Sequence, residues 1–189
     1  MASLRDKSIF LSLILRHKPE VVGLKLDDAG WINCDELINA VADHNKSFNH
    51  KDLVEIVDSD NKGRYSFDNG CVNVRANQGH SIKVDVGMKP STPPAVLYHG
   101  TSVDRFDNII ATGLHSGTRL HVHMSDDHDT ATTVGSRHGI PVVLFIDSKQ
   151  MHEDGVPMWI SENGVWLADR VESKYIFKKH YLENDCGKE

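Results

Sequence analysis

The sequence has few of the features that mark secreted, redox-active or membrane proteins. Its 189 residues contain three cysteines, Cys34, Cys71 and Cys186, which are far apart and form no CxxC pair. Such an odd, sparse set indicates reduced thiols rather than a disulfide framework or a thiolate metal site. The longest apolar run, residues 9–15, is interrupted by a serine and is too short to span a bilayer. The first residues lack a signal peptide's cationic start and apolar core. We therefore expect a cytoplasmic globular protein that does not bind membranes.

The sequence also lacks an excess of positive charge. Its formal net charge is −6, divided into −1 for residues 1–90 and −5 for the remainder. Proteins that hold nucleic acid along its backbone are usually basic, so any contact with RNA or DNA must use a few placed cations. A Walker loop, a GxGxxG fingerprint, a GxSxG elbow and a kinase signature are all absent. ATP hydrolysis and Rossmann-type hydride transfer are therefore poor candidates.

Residues 1–90 have the pattern of three helices followed by a β-hairpin. Ser3 and Asp6 form a capping-box signal for a helix that ends near Arg16, before Pro19. The predicted apolar face of this helix consists of Ile9, Phe10, Leu13 and Ile14. Asn33 predicts the start of a second helix, Asn49 or His50 predicts the start of a third, and Asp68-Asn69-Gly70 indicates a hairpin turn. This order is typical of a winged-helix lobe.

The second half has the pattern of short strands alternating with helices. Residues 88–94, rich in proline, are the predicted linker. Strands are expected at 95–99, 122–125, 142–146 and near 165–167 and 175–177, with helices at 105–111 and 127–136. The expected fold class is therefore α+β, with a lobe at 1–90 and a second lobe at 95–182.

Three segments of the first lobe are candidate parts of a phosphate site. Arg16 and His17 lie at the carboxyl end of the first helix, where they could be an ordinary cationic terminus or a phosphate clamp. Arg64 could be a surface residue of the hairpin, or its guanidinium could be a second group that binds the same phosphate. Residues 77–81, Asn-Gln-Gly-His-Ser, could be a plain loop or a segment that orients a phosphate-bearing sugar.

The second lobe carries a candidate pocket at the end of an apolar strand. His99-Gly100-Thr101 follows that strand and precedes a helix, where backbone amides become available and glycine permits close approach of a ligand. His121 and His123 alternate along another strand, which admits a zinc site completed by His128 or His138. Without HExxH, a helical histidine pair or a cysteine partner, buried and surface histidines are the preferred interpretation, and we predict no metal.

Taken in order along the chain, these motifs resemble those of the KptA-type RNA 2′-phosphotransferases, from about Ser8 to Ile176. The segments that carry the resemblance are Leu13-x-Leu-Arg-His-Lys-Pro19, Gly30-Trp31, Arg64-Tyr-Ser-Phe67, Gln78-Gly-His-Ser81, Leu97-Tyr-His-Gly-Thr101, His121-Val-His-Met-Ser125, Val134-Gly-x-Arg-His-Gly139 and Glu162-Asn-Gly-Val-Trp166.

The resemblance implies a winged-helix lobe that receives RNA and an ADP-ribosyltransferase-like lobe that holds NAD as a consumed co-substrate. It implies that the enzyme removes an internal RNA 2′-phosphate in two steps and releases nicotinamide and ADP-ribose 1″,2″-cyclic phosphate. The family's catalytic tetrad maps onto Arg16, His17, Arg64 and Arg119, with Arg137 as a competitor for the fourth position. The expected NAD-binding residues are His99, Gly100, Thr101, Ser125, Glu162 and Asn163.

Two rival functions use the same residues differently. One is an ADP-ribosyltransferase that modifies terminal phosphates of RNA or DNA and stops after the first step. The other is a winged-helix module that binds NAD without catalysis. We expect a metal-free monomer whose partners are NAD and an RNA carrying a 2′-phosphate, and the sequence does not identify the physiological RNA.

Overall fold

The computed structural model describes residues 3–44, 48–88 and 90–181, which fall into two units. The first unit comprises residues 1–88 together with Thr118–Leu120, and the second comprises residues 89–117 and 121–189. The chain therefore passes between the units at the predicted proline-rich linker, and a short segment inserted in the second half groups with the first unit. Cys186, Lys89 of the predicted linker and the expected lobe end at residue 182 lie outside the described residues.

The first unit consists of three helices and a small antiparallel sheet. In chain order its elements are α1 (Leu4–Arg16), a 3₁₀ turn (Pro19–Val22), β1 (Ile32–Asn33), α2 (Cys34–His44), α3 (His50–Asp58), β2 (Tyr65–Phe67) and β3 (Asn73–Ala76). The sheet order is β1-β3-β2. Ser3 and Asp6 form the predicted capping box of α1, and Asn49 caps α3 through Asp52 in the same way. The sequence prediction of these three helices and of the hairpin is confirmed.

The buried face of α1 differs from the predicted one. Ile14 is fully buried as expected, whereas Ile9 is 60% exposed. Leu11 and Leu15 point into the core instead, together with Lys7, whose ammonium pairs with Asp52 on α3 at 2.7 Å. These positions have the spacing of one helical face. The prediction is confirmed for Ile14 and wrong for Ile9, while Phe10 is partly buried against the core. A helix that is apolar over most of its circumference does not reveal which side meets the core.

The second unit combines helices with three small antiparallel sheets. Its elements are β4 (Val96–Ser102), α4 (Val103–Thr112), β5 (Leu114–His115), β6 (Val122–Met124), α5 (His128–Gly135), β7 (Pro141–Asp147), α6 (Ser148–Glu153), β8 (Trp159–Ile160), β9 (Trp166–Ala168), β10 (Arg170–Val171), a 3₁₀ turn (Ser173–Tyr175) and β11 (Ile176–Tyr181). The sheet orders are β11-β7-β4, β6-β9-β8 and β10-β5. The α+β class is confirmed, and α6 was not predicted. None of the helices in the described ranges is long and apolar enough to cross a bilayer.

Strand β4 is the element on which the second unit is organised. It pairs with β7 along its whole length, with His99 opposite Leu144, and its Leu97 is fully buried. A bridge between Tyr98 and Ser125 joins the end of β6 to β4, with backbone hydrogen bonds of 2.7 and 2.9 Å. The strand therefore brings the predicted residues 99–101 and Ser125 into one region.

Gly100 has a packing role that the sequence reasoning did not anticipate. A Cβ atom added there would lie 1.7 Å from the carbonyl oxygen of Ala131, on α5, and 2.8 Å from the backbone nitrogen of Gly135. The space beside Gly100 is therefore filled by α5. This glycine therefore allows a helix to approach β4, and its predicted contact with a ligand stays a prediction.

Replacing Gly100 with alanine should destabilise the second unit, because the Cβ atom meets backbone that has to move. We expect a loss of about 3 kcal/mol or more in the free energy of unfolding, measured by urea denaturation. Gly70→Ala is the control, since its Cβ would meet only Val72 Cγ2 at an ordinary 3.4 Å and Asp68 Oδ1 at 4.0 Å. Equal stability of the two variants would contradict the packing role.

Candidate functional site

Three guanidinium groups and one imidazole come from separate parts of the chain into the first unit. Arg16 is the last residue of α1, and His17 is its C-cap. Arg64 immediately precedes β2, and Arg119 is the middle residue of the segment Thr118–Leu120. These are the four residues predicted to bind phosphate, and we refer to them as the cationic cluster.

Arg16 is the buried member of the cationic cluster, at 8% exposure. Its Nη2 donates to the carbonyl oxygen of Arg64 at 3.5 Å, and its Cζ lies 5.7 Å from the ring centre of Tyr65. Its Nε has no hydrogen-bond partner, and no carboxylate forms an ion pair with it among the described residues. Burial lowers the pKa of Arg16; Tyr65 raises it, and repulsion from Arg64 and Arg119 lowers it further.

Arg64 is held in place by an acidic residue four positions earlier in the chain. Its Nη1 forms an ion pair with Asp60, whose carboxylate also accepts a hydrogen bond from the Arg64 backbone nitrogen. The Asp60 side chain is 5% exposed, while that of Arg64 is 36% exposed. Asp60 therefore anchors the arginine at its base and leaves part of the guanidinium accessible.

His17 and Arg119 complete the cluster. His17 Nδ1 lies 3.0 Å from Ser81 Oγ. Burial lowers the pKa of His17, and the positive charges of Arg16 and Arg119 lower it further. The segment with Arg119 is fixed by a hydrogen bond of 3.0 Å from Leu120 N to the carbonyl oxygen of His80. Partial desolvation lowers the pKa of Arg119 itself.

The competitor for the fourth cationic position, Arg137, belongs to the second unit. Arg137 is an exposed residue of the second unit, just beyond the C-terminus of α5. Arg119, by contrast, is among the charges that lower the pKa of both Arg16 and His17. Within the first unit, the structure therefore groups Arg119 with Arg16, His17 and Arg64.

In the second unit, one ring nitrogen of His99 is hydrogen-bonded to the backbone. Its Nδ1 donates to the carbonyl oxygen of His123 at 2.9 Å, since a carbonyl can only accept. Burial lowers the pKa of His99, and the hydrogen bond to His123 only partly opposes this. The ring is therefore neutral near pH 7, with Nε2 as an acceptor. Thr101 is buried, and Ser125 Oγ accepts a hydrogen bond from Asp127 N at 3.0 Å.

Glu162 and Asn163 occupy the turn between β8 and β9. Glu162 is exposed, and the Asn163 side-chain oxygen accepts a hydrogen bond from Ser161 Oγ at 2.7 Å. In the sheet order β6-β9-β8, this turn joins the outer strand to the central one. Met124, Trp166 and Ile160 lie in one row across this sheet, so the turn with Glu162 and Asn163 leaves the sheet at the same end as Ser125. Ser125 in turn is bridged to Tyr98 on His99's strand.

The histidines considered for zinc have other contacts. His121 lies 3.8 Å from the Asp169 carboxylate and packs against Trp159, while His123 supplies its carbonyl to His99. His128 Nε2 lies 3.2 Å from Nδ1 of His180. Across residues 3–44, 48–88 and 90–181, no three potential ligands are grouped so as to hold a metal ion.

Sequence reasoning missed two residues that shape the cationic cluster. Tyr65 presents its ring to Arg16, and Asp60 pairs with Arg64. The four-residue spacing of Asp60 and Arg64 was a local signal that could have been used. The approach of Tyr65 to Arg16 depends on tertiary packing between residues 49 positions apart, for which the sequence contains no local signal.

Comparison with known proteins identifies the family. Residues 3–170 match the family model described as RNA 2′-phosphotransferase, Tpt1/KptA family. The chain belongs to the Tpt1/KptA family.

Close relatives support this membership over nearly the whole chain. A probable RNA 2′-phosphotransferase of Nostoc punctiforme is 47% identical over 171 residues, covering 90% of this chain and 94% of the relative. Proteins with the same description from Fusobacterium nucleatum and Streptomyces griseus are 45% and 44% identical, over 88% and 89% of this chain and 94% and 93% of their own lengths. The stretch that matches the Tpt1/KptA model contains every predicted site residue.

A buried histidine beside the cationic cluster should make stability depend on pH. His80 is 3% exposed and its Nε2 has no hydrogen-bond partner among the described residues. Burial, together with the charges of Arg16, His17 and Arg75, lowers its pKa to about 4. Between pH 6.5 and 4 the unfolded chain binds a proton that folded His80 does not. Stability should therefore be complete above pH 6.5, fall as the pH drops toward 4, and lose this dependence below 4.

Urea unfolding at several pH values tests this dependence, with NMR signals of the first unit as the readout. His80→Gln should flatten the slope between pH 6.5 and 4. The same exchange at His44, which is exposed, should keep the wild-type slope. An unchanged slope in His80→Gln, or an NMR titration of His80 near 6.5, would contradict the expected neutral state.

Proposed function

We propose that this protein removes an internal 2′-phosphate from RNA and uses NAD⁺ as a consumed co-substrate. Membership in the Tpt1/KptA family supports the reaction class. The observation that carries the proposal is the cationic cluster, and above all Arg16, which is buried without a carboxylate partner among the described residues. A buried cation without a counter-ion is costly, and a bound phosphate relieves that cost.

In the first step, the RNA 2′-phosphate acts as the nucleophile. One of its oxygens bonds to the ribose C1″ of NAD⁺ as the C1″–N bond breaks, and the bonding electron pair neutralises the nicotinamide ring. A phosphate monoester with a second pKa of about 6 is already ionised at pH 7. The step therefore needs orientation and charge stabilisation rather than a general base, which suits guanidinium groups.

In the second step, the ribose 2″-hydroxyl attacks the same phosphorus. The bond between phosphorus and the RNA 2′-oxygen breaks, and the hydroxyl proton finishes on that oxygen. The products are RNA with a free 2′-hydroxyl and ADP-ribose 1″,2″-cyclic phosphate. Negative charge spreads over the phosphoryl oxygens in the transition state, and we assign its stabilisation to Arg64 and Arg119.

We assign the NAD⁺ site to the second unit, as an ADP-ribosyltransferase-like lobe, and the RNA site to the first, as a winged-helix lobe. Neutral His99 offers an acceptor nitrogen, and the hydroxyls of Thr101 and Ser125 suit ribose or carboxamide groups. Gly100 contributes by letting α5 pack against β4. Glu162 and Asn163, on their turn, are assigned to the ribose side, with Glu162 exposed and able to accept hydrogen bonds.

The experiment is an incubation of the purified protein with NAD⁺ and a short RNA carrying one internal 2′-phosphate, followed by mass spectrometry. We expect RNA lighter by one phosphate, free nicotinamide and ADP-ribose cyclic phosphate. A stable ADP-ribosylated nucleic acid without cyclic phosphate would instead identify a transferase that acts on phosphates and stops halfway. Binding of NAD⁺ without release of nicotinamide would indicate a non-catalytic module.

Alanine at Arg64 or Arg119 should abolish most activity while the fold survives. Each guanidinium stabilises charge that develops in the transition state, so a loss of about 100-fold or more in kcat is expected. The control is Arg5→Ala, an exposed arginine on the first turn of α1, which should retain wild-type rates. Full activity in both Arg64→Ala and Arg119→Ala would refute the assignment.

Arg137→Ala decides the identity of the fourth cation. The charge of Arg119 lowers the pKa of Arg16 and His17, which places Arg119 with them. Its loss should therefore weaken binding of the 2′-phosphate much more than loss of Arg137. Titration of each variant with the phosphorylated RNA in the absence of NAD⁺ measures this directly. A larger effect at Arg137 would exchange the two roles.

A further inference from the structure

One short segment, residues 77–81, contacts Arg16, His17 and Arg64 and also Leu120, the residue after Arg119. Its first residue supports Arg64: Asn77 N donates to the Arg64 carbonyl oxygen at 2.8 Å, and Asn77 Nδ2 donates to that of Gly63 at 2.8 Å. Asn77 is 5% exposed. These two bonds fix the peptide groups immediately before and after Arg64.

The middle of the segment supports Arg16 and the Arg119 segment. Gly79 has φ +86°, and a Cβ atom there would lie 3.5 Å from Arg16 Nη1 and 3.6 Å from Cζ, so its backbone lies directly against the guanidinium. The next carbonyl, that of His80, accepts the hydrogen bond from Leu120 N at 3.0 Å. Ser81 N donates to the Arg16 carbonyl oxygen at 2.9 Å.

The last residue of the segment also contacts His17 through its side chain. Ser81 Oγ lies 3.0 Å from Nδ1, and Nε2 of His17 has no hydrogen-bond partner among the described residues. The hydroxyl can either accept from an Nδ1–H group or donate to a bare Nδ1. The geometry alone leaves both tautomers open, so the choice depends on what Nε2 must bind.

The charges around His17 determine that choice. Burial and the two nearest arginines keep the ring neutral, so it carries one N–H group. A phosphate dianion offers acceptors and no proton. A neutral ring that binds such a phosphate must therefore have its proton on Nε2, which leaves Nδ1 to accept from Ser81.

We propose that Ser81 is a positioning residue: its hydroxyl donates to Nδ1 of His17 and so holds the ring with Nε2–H directed at the substrate phosphate. The segment 77–81 is then the frame that sets the geometry of the cationic cluster. This inference rests on the proposed function for the identity of the ligand. His17 serves as a hydrogen-bond donor to the phosphate and not as a base that ionises it.

The tautomer can be measured without any activity. Long-range ¹H–¹⁵N NMR on the full-length ¹⁵N-labelled protein at pH 8, with His17→Asn to assign the ring signals, distinguishes the two forms. We expect protonated Nε2 and unprotonated Nδ1. The opposite tautomer overturns the inference, whatever reaction the protein performs. A failure of the proposed function would instead appear as absence of 2′-phosphate removal in the wild type.

Kinetics test whether Ser81 acts through His17. Ser81→Ala should lower kcat about tenfold, the effect of losing one hydrogen bond, while KM for the phosphorylated RNA changes less. Ser81→Thr keeps a hydroxyl and should retain most of the activity. Ser59→Ala, at the exposed C-cap of α3, is the matched control.

A double-mutant cycle separates positioning from stability. In a His17→Ala background, Ser81→Ala should cost little more, because the ring that it orients is gone. If Ser81→Ala costs the same factor with and without His17, or if Ser81→Thr is as inactive as Ser81→Ala, Ser81 does not act through the imidazole and the inference fails. Thermal unfolding of each variant verifies that the fold is intact.

Discussion

Repulsion among like charges is the constraint that shapes the first unit. The charges of Arg64 and Arg119 both act unfavourably on buried Arg16, and desolvation adds to that cost. The fold opposes this with three sources of negative potential: the carboxyl end of α1, the Tyr65 ring and the Asp60 carboxylate. None of these is an anion bound directly to the Arg16 guanidinium. The cluster is thus held together largely by the backbone around it.

Burial and the same charges keep the nearby histidines neutral. Burial lowers the pKa of His17, His80 and His99, and the charge of Arg16 lowers the pKa of His17 and His80 further. An imidazole with a lowered pKa is rarely protonated at pH 7, so it is poorly suited to proton transfer. It can still donate or accept a hydrogen bond in a fixed direction. This fits a reaction whose nucleophile is already ionised, because such chemistry gains more from placed hydrogen bonds than from proton transfer. The lowered pKa values and the proposed chemistry therefore both favour hydrogen bonding, and not proton transfer, as the role of these histidines.

Local signals predicted most of the fold, and tertiary contacts account for what was missed. Capping residues such as Ser3 and Asn49, and the turn at residues 68–70, act within a few positions and were sufficient to place helices and hairpin. The buried side of α1 was not predictable, because Ile9 and Leu11 are equally apolar and only packing against α3 and the sheet distinguishes them. The role of Gly100 depends on a helix that begins 28 residues later at His128.

The site shows the same division between local chemistry and long-range assembly. Arg16, His17 and Arg64 were candidates from their local motifs, but only the resemblance grouped them with Arg119, since Arg16 and Arg64 are separated by 48 positions and no spacing rule joins them. The segment 77–81, which contacts the three stretches of chain that carry the cluster, looks like an ordinary polar loop, because its contribution lies mainly in backbone atoms that every residue possesses. Its side-chain identities matter at only a few points, such as the glycine against Arg16 and the serine at His17. The low net charge is compatible with the proposed recognition of a single phosphate, which would depend on how a few cations are held and not on the total charge of −6.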